Sequence, residues 1–230
     1  IDGKLYVAGG GRNFDSQLYA TGWYYTPGTD SWTAIADMPA ARRDAGAAVH
    51  DGKLWVVGGY VFPGIVNTIV RYDPVANSWA SGFATLPAAR SLAAVAVIGD
   101  YLYVVGGAPG PAATLYRYDI NADSWATLTP TPTARFGSAI TALGGKIYVA
   151  NGSDVAPSTP LMHEYDPAID AWATKIVPGY GANRLAYGTI GGQYLHIVGG
   201  FRGAADFRDE HERYTAIALG GWQIHAQIIG

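Results

Sequence analysis

Arg42, Arg90, Arg135 and Arg184 recur at intervals of 45 to 49 residues. A guanidinium is a planar fork of donors matched to carboxylates, phosphates and acidic side chains. A column of four therefore reads as a partial ring able to hold an anion. A repeated arginine can equally bond the carbonyls of a neighbouring structural unit, and the regularity of the column favours that role. Arg12, Arg43, Arg202 and Arg208 break the spacing and are individually better candidates for function. Tyr60, Phe62, Phe136, Tyr180, Phe201 and Phe207 also vary along the chain, and such aromatics stack on sugars or dock peptides. The candidate binding set is Arg12, Arg42, Arg90, Arg135, Arg184, Tyr60, Arg202 and Arg208.

Other chemistries have less support. His50, His163, His196, His211 and His225 show no paired spacing, so no metal site is expected. The segment from Asp206 to Glu212 is rich in carboxylates but reads as a solvated turn, with Glu210 and His211 as the residues that would move protons if the chain were an enzyme. There is no phosphate loop, dinucleotide fingerprint or nucleophile elbow. The absence of Cys excludes disulfides and thiolate chemistry. No cofactor is called for.

Composition narrows the classes further. The 230 residues are 49% hydrophobic and 14% charged, with a net charge of −3. That balance excludes a disordered polyelectrolyte and gives no basis for nucleic-acid binding. No run of 18 apolar residues and no basic segment leading into an apolar one appears, so neither a membrane span nor a signal peptide is read. Low Lys, no Cys and high Ala, Gly, Thr and Tyr fit a secreted bacterial protein.

What positions these residues is a repeat. Trp32, Trp79, Trp125 and Trp172 are each seven residues after Tyr25, Tyr72, Tyr118 and Tyr165. Glycine pairs at Gly9, Gly58, Gly106 and Gly199 follow strand-like runs, and the fourth copy has Asn151-Gly152. Asn tolerates positive φ best among residues with a side chain, so the first position of the pair is expected to be left-handed. Each unit reads as four strands: one after the arginine, one ending at the glycine pair, one closing on Tyr and one beginning at Trp. A single such sheet cannot bury both faces, so copies must stack around an axis as a β-propeller. The Trp series reads as anchors between blades. His196 and the aromatic column Tyr6, Trp55, Tyr103 and Tyr148 read as blade packing.

The glycine pairs, the Tyr-Asp-Pro-x-x-x-x-Trp segments and the Pro-x-x-Arg elements at Pro39 to Arg42 and Pro87 to Arg90 resemble kelch repeats. The resemblance covers nearly the whole chain and implies an all-β kelch-like propeller in one domain, residues 1–230. The units are approximately 1–41, 42–89, 90–134, 135–183 and 184–230. Kelch propellers usually carry six or seven blades, whereas the period here gives about five. Gly9 has only eight residues before it, so the first blade lacks its innermost strand. Residues 223 to 229 are expected to supply it, closing a monomer.

In this connectivity the turns between second and third strands share one face, here called the upper face, with the crossovers between blades. Eight of the 15 Lys and Arg residues fall there, while nine Asp residues fall in turns of the opposite face, so a positive potential is expected at one mouth. The leading functional expectation is a ligand- or protein-binding module, using the upper face for an acidic peptide, a glycan or a small carboxylate. One alternative is a sugar or sugar-acid enzyme resembling bacterial sialic-acid epimerases; galactose oxidase chemistry is set aside because its crosslinked tyrosine needs Cys. A second is a scaffold, fragment or engineered assembly of repeats.

Overall fold

The computed structural model describes residues 1–12, 17–152 and 161–176, together with strands 186–190, 194–201, 207–216 and 222–224. Sheet one holds β1 (Leu5–Ala8), β2 (Gly22–Thr26) and β3 (Ser31–Ile35). Sheet two runs β4 (Gly46–His50), β5 (Lys53–Val57), β8 (Ile69–Asp73), β9 (Ser78–Ala80), with a small hairpin, β6 (Tyr60–Val61) and β7 (Gly64–Ile65), rising from its upper turn. Sheet three is β10 (Ala94–Ile98), β11 (Tyr101–Val105), β12 (Leu115–Asp119) and β13 (Ser124–Leu128). Sheet four is β14 (Ala139–Leu143), β15 (Lys146–Ala150), β16 (Leu161–Asp166) and β17 (Ala171–Ile176). Sheet five is β18 (Ala186–Ile190), β19 (Tyr194–Phe201), β20 (Phe207–Ala216) and β21 (Trp222–Ile224). Every pairing within these sheets is antiparallel. Innermost strands follow one another around the axis, β10 lying against β4 and β14, and β14 against β18.

Packing between sheets follows the period-two alternation of their strands. Leu54, Val56, Val70 and Tyr72 face sheet one, where they meet Tyr6, Ala8 and Tyr24. Trp55, Val57 and Ile69, from the opposite face, pack on Val95, Leu102, Val104 and Tyr118 of sheet three. Tyr103, Val105 and Leu115 then pack on Ile140, Ile147, Val149 and Tyr165 of sheet four. The apolar stacking expected of a propeller thus repeats from one sheet to the next.

A polar clasp repeats with it. Asn77, Asp123 and Asp170 sit in left-handed turns, at φ 44, 47 and 47. Their side-chain oxygens accept the hydroxyls of Tyr72, Tyr118 and Tyr165 and the backbone N–H groups of Ala36, Ala84 and Thr129 in the preceding sheet's outgoing segment. The indole N–H of Trp79, Trp125 and Trp172 donates to the carbonyls of those same three residues, at 2.8, 2.9 and 2.8 Å. The Trp series therefore anchors blades by hydrogen bonding as well as by area. Burial pushes the Tyr118 and Tyr165 hydroxyls up, and donation to their carboxylate partners pushes them further.

At the C-terminal end Gln223 and Ile224 are not where they were expected. Trp222–Ile224 pairs with β20, in register Tyr214 to Ile224, as the outer strand of sheet five. It does not pair with β1. Residues 225–230, the rest of the expected closing segment, lie outside the described residues. Among the described residues β1 pairs only with β2, as the short first unit implies.

Candidate functional site

The turns and crossovers meet as expected. Backbone bridges join Arg43 to Tyr60, Ser91 to Ala108 and Ala112 to Arg135, so the start of each inner strand is stitched to the upper turn of the preceding or the same sheet. The glycine pair makes this possible. Gly9, Gly58, Gly106 and Asn151 have φ of +76, +63, +66 and +56, which matches the left-handed position expected from the Asn substitution. A Cβ on Gly58 would collide with the carbonyl oxygen of Arg90. The second glycine donates to the arginine carbonyl of the next crossover: Gly10 to Arg42, Gly59 to Arg90 and Gly107 to Arg135, at 2.8, 2.7 and 2.9 Å.

The arginine side chains extend that bracket. Arg42 Nη1 donates to the Gly58 carbonyl at 2.9 Å and Nη2 to Thr68 Oγ1 at 3.4 Å. Arg135 Nη1 donates to the Asn151 carbonyl at 2.8 Å. Each residue is only 3% exposed, and desolvation lowers the pKa of Arg42. The open anion-binding ring expected of this column is thus not what Arg42 and Arg135 form. Their backbone carbonyls hold one sheet and their guanidiniums hold the next. Arg90 differs, being half-buried and donating from Nη1 to the Ala89 carbonyl at 3.2 Å. Arg184 and Arg202 lie outside the described residues, as do the side chains of Arg208, Glu210 and His211.

What the upper face does present is grouped around sheet two. The turn from Gly58 to Thr68 is two residues longer than its counterpart from Gly106 to Thr114, and the extra length forms the β6–β7 hairpin. Phe62, at its tip, is 62% exposed. At its base Arg43 lies with its guanidinium carbon 4.7 Å from the centre of the Tyr60 ring and donates to Asp44 Oδ2 at 2.6 Å. Arg12 is exposed beside the corresponding turn of sheet one, its N–H donating to the Gln17 carbonyl at 3.1 Å. Tyr60 and Arg43 are thus brought together, whereas Arg42 and Arg135 of the arginine column are taken into the framework. The signal that could have located this cluster is turn length, read copy against copy.

His163 is the titratable group most altered by its surroundings. It is buried in β16 between Thr133, whose hydroxyl is 3.3 Å from Nε2, and Thr174, whose hydroxyl is 3.2 Å from Nδ1. Desolvation, aided by the positive charge of Arg135, lowers its pKa to about 4. Its counterparts in register are Val70 in sheet two and Tyr116 in sheet three, which makes it a core residue. On the other face of the same sheet Glu164 binds Lys146 at 3.0 Å and Lys175 at 3.2 Å. Burial alone would raise the Glu164 carboxyl, but these partners and the Tyr148 hydroxyl hold it below its usual range. Among the described residues no three His, Asp or Glu side chains converge in a way that would hold a metal ion.

Stacked four-stranded sheets, bracketed at each glycine pair and clasped at each Tyr-Trp pair, define a kelch-type β-propeller. Residues 1–131 match the family model described as the KLHDC2/KLHL20/DRC7 Kelch-repeats domain. Kelch-like protein terF of Aspergillus terreus is 31% identical over 211 residues, covering 81% of this chain and 46% of that protein. Kelch-like protein 35 of Mus musculus is 29% identical over 230 residues, covering 97% of this chain and 37% of that protein. The chain belongs to the kelch-repeat family, and it spans less than half the length of these relatives. A solved structure titled "Structure of YjhT" superposes with a TM-score of 0.83 over 98% of this chain and 82% of that one, at 17% identity. That likeness speaks to the fold alone.

Proposed function

We propose that this propeller is a protein-interaction module whose upper loops engage a partner segment carrying both acidic and apolar residues. The observation that supports the reading is the group on sheet two, where exposed Phe62 stands on a hairpin with Arg43 stacked on Tyr60 at its base. An aromatic anchor beside a cation on a rigid support is the pattern of an interface hot spot. Arg90 and Arg12 extend the positive surface on either side, so that carboxylates of the partner meet guanidiniums while its apolar residue meets Phe62. Arg42 and Arg135 serve this reading by fixing the loops. The small-carboxylate version draws on the same arginines but leaves Phe62 unused. The enzymatic alternative depends on Glu210 and His211, whose side chains are outside the described residues.

The test is selection of binders from a displayed peptide library of random sequence. Peptides enriched in Asp, Glu and large apolar residues are expected. Their affinity should fall about tenfold or more in Arg43→Ala and in Phe62→Ala, a loss of roughly 1.4 kcal/mol each. Selected peptides that bind both variants as tightly as the parent protein would overturn the assignment of this face.

A further inference from the structure

Asp44, Leu92 and Gly137 each stand two residues after a column arginine, at the upper end of the innermost strand of sheets two, three and four. All three are left-handed, with φ of 56, 53 and 62. A hydrogen-bonded arc joins them across the upper mouth. The Gly137 N–H donates to the Leu92 carbonyl at 2.8 Å, and the Leu92 N–H donates to the Asp44 carbonyl at 2.7 Å. The backbone of this arc thus demands the same conformation in each sheet.

Glycine meets that demand without strain, and Asp meets it because its short side chain can bond local backbone. Leucine has neither means. Among the described residues nine residues other than glycine have positive φ, and eight of them are Asp or Asn. Leu92 is the ninth, a bulky side chain in a region that bulky side chains avoid. Such a residue persists where the surrounding structure imposes it, and strained residues concentrate at ligand clamps and active sites. Burial explains this leucine only in part, because Leu92 is half-buried while Ser91 and Ala93 on either side of it are buried.

Leu92 adjoins the group on sheet two. Its bond to Asp44 sets it next to the residue whose carboxylate holds the Arg43 guanidinium, and Arg43 in turn stacks on Tyr60 at the base of the hairpin that carries Phe62. Apolar side chains therefore stand at both ends of this patch, Phe62 on the hairpin and Leu92 at the mouth, with a guanidinium between them.

We infer that Leu92 is a specificity-determining residue of the upper face, which selects partner segments carrying a second apolar residue. The inference rests on the interaction-module reading above and narrows its ligand. The segment has one large apolar residue for Phe62, another for Leu92 and an acidic residue between them for Arg43. Gly or Asn at position 92 would ease the backbone but leave the second apolar residue without a contact.

Leu92→Asn and Leu92→Gly separate strain from binding. Both variants of the full chain should unfold at higher urea concentration than the parent. The binding probe is the displayed library of random peptides, selected in parallel on the parent, Leu92→Asn and Phe62→Ala. The parent should enrich apolar residues at two positions flanking an acidic one. On Leu92→Asn the preference at one apolar position should vanish while the other and the acidic preference remain, and on Phe62→Ala the opposite apolar position should lose its preference. Peptides selected on the parent should bind Leu92→Asn about tenfold or more weakly, and Leu92→Met, which keeps an apolar side chain on the same backbone, within about threefold of the parent. Earlier unfolding of both Leu92→Asn and Leu92→Gly would make Leu92 a packing residue and overturn the inference whatever the peptides do. An unchanged peptide profile on Leu92→Asn would also overturn it, and if those peptides still needed Arg43 and Phe62 the interaction-module reading would stand without it. Failure of the parent to select any peptide would overturn both.

Discussion

Replacing His163 by Val should change how the stability of this protein depends on pH. The imidazole is enclosed by Thr133, Thr174 and Trp172 and has its pKa lowered from 6.5 to about 4, first by desolvation and then by Arg135. A lowered folded-state value means that the unfolded chain binds the proton more readily. The neutral ring therefore contributes fully above pH 6.5, and its contribution is lost progressively as pH falls from 6.5 to about 4. A shift of this size corresponds to about 3 kcal/mol, and screening by nearby solvent reduces that to about 2. Val is the residue at the same register position in sheet two, so Val56 over Val70 shows that the site accepts it. Urea denaturation of both proteins at pH 7.5 and pH 5 isolates the effect, because titrations elsewhere are common to both and cancel. The parent should lose about 1 to 2 kcal/mol more than His163→Val between the two pH values. Parallel losses would show that His163 is protonated in the folded state, and the account of its burial would be wrong.

Gly58→Ala should cost at least about 2 kcal/mol in the same assay, since the residue would be held at positive φ against the Arg90 carbonyl; a loss below 0.5 would refute the bracket. Arg42→Ala should cost about 2 kcal/mol by leaving the Gly58 carbonyl unpaired, whereas Arg90→Ala should cost less than about 1. Equal losses would mean that the two arginines do the same work. Trp125→Phe should cost about 1 kcal/mol or more through the lost bond to the Ala84 carbonyl, and Trp32→Phe close to nothing, because Trp32 is 55% exposed.

The repeat was legible because each recurring residue answers a backbone or packing demand that recurs with it. Asn151 in place of a glycine disclosed a left-handed position, and its φ of 56 agrees. The seven-residue interval from Tyr to Trp reflects a hairpin in which the two stand opposite each other, as Tyr72 does to Trp79 and Tyr118 to Trp125. The destination of the last strand was not legible. Tyr214 pairs with Ile224 and Trp222 with Ala216, so the fifth hairpin is out of step with the others, and Gln223 and Ile224 fall in its outer strand rather than beside β1. The Arg column was seen, but its direction was not: sequence cannot say whether a guanidinium turns outward to solvent or inward to a carbonyl 16 residues away, as Arg42 does to Gly58 and Arg135 to Asn151.

That outcome carries a rule for reading this fold. A residue that recurs in every unit must suit every unit, and what the units share is a backbone and two neighbours. A ligand meets the ring from one side and touches unlike positions in successive blades, so its contacts fall where the copies differ. Arg43 and Phe62 differ from their counterparts in this way: Ser91 and Phe136 follow the column arginine in sheets three and four in place of a second cation, and the shorter turn of sheet three has no aromatic at its tip.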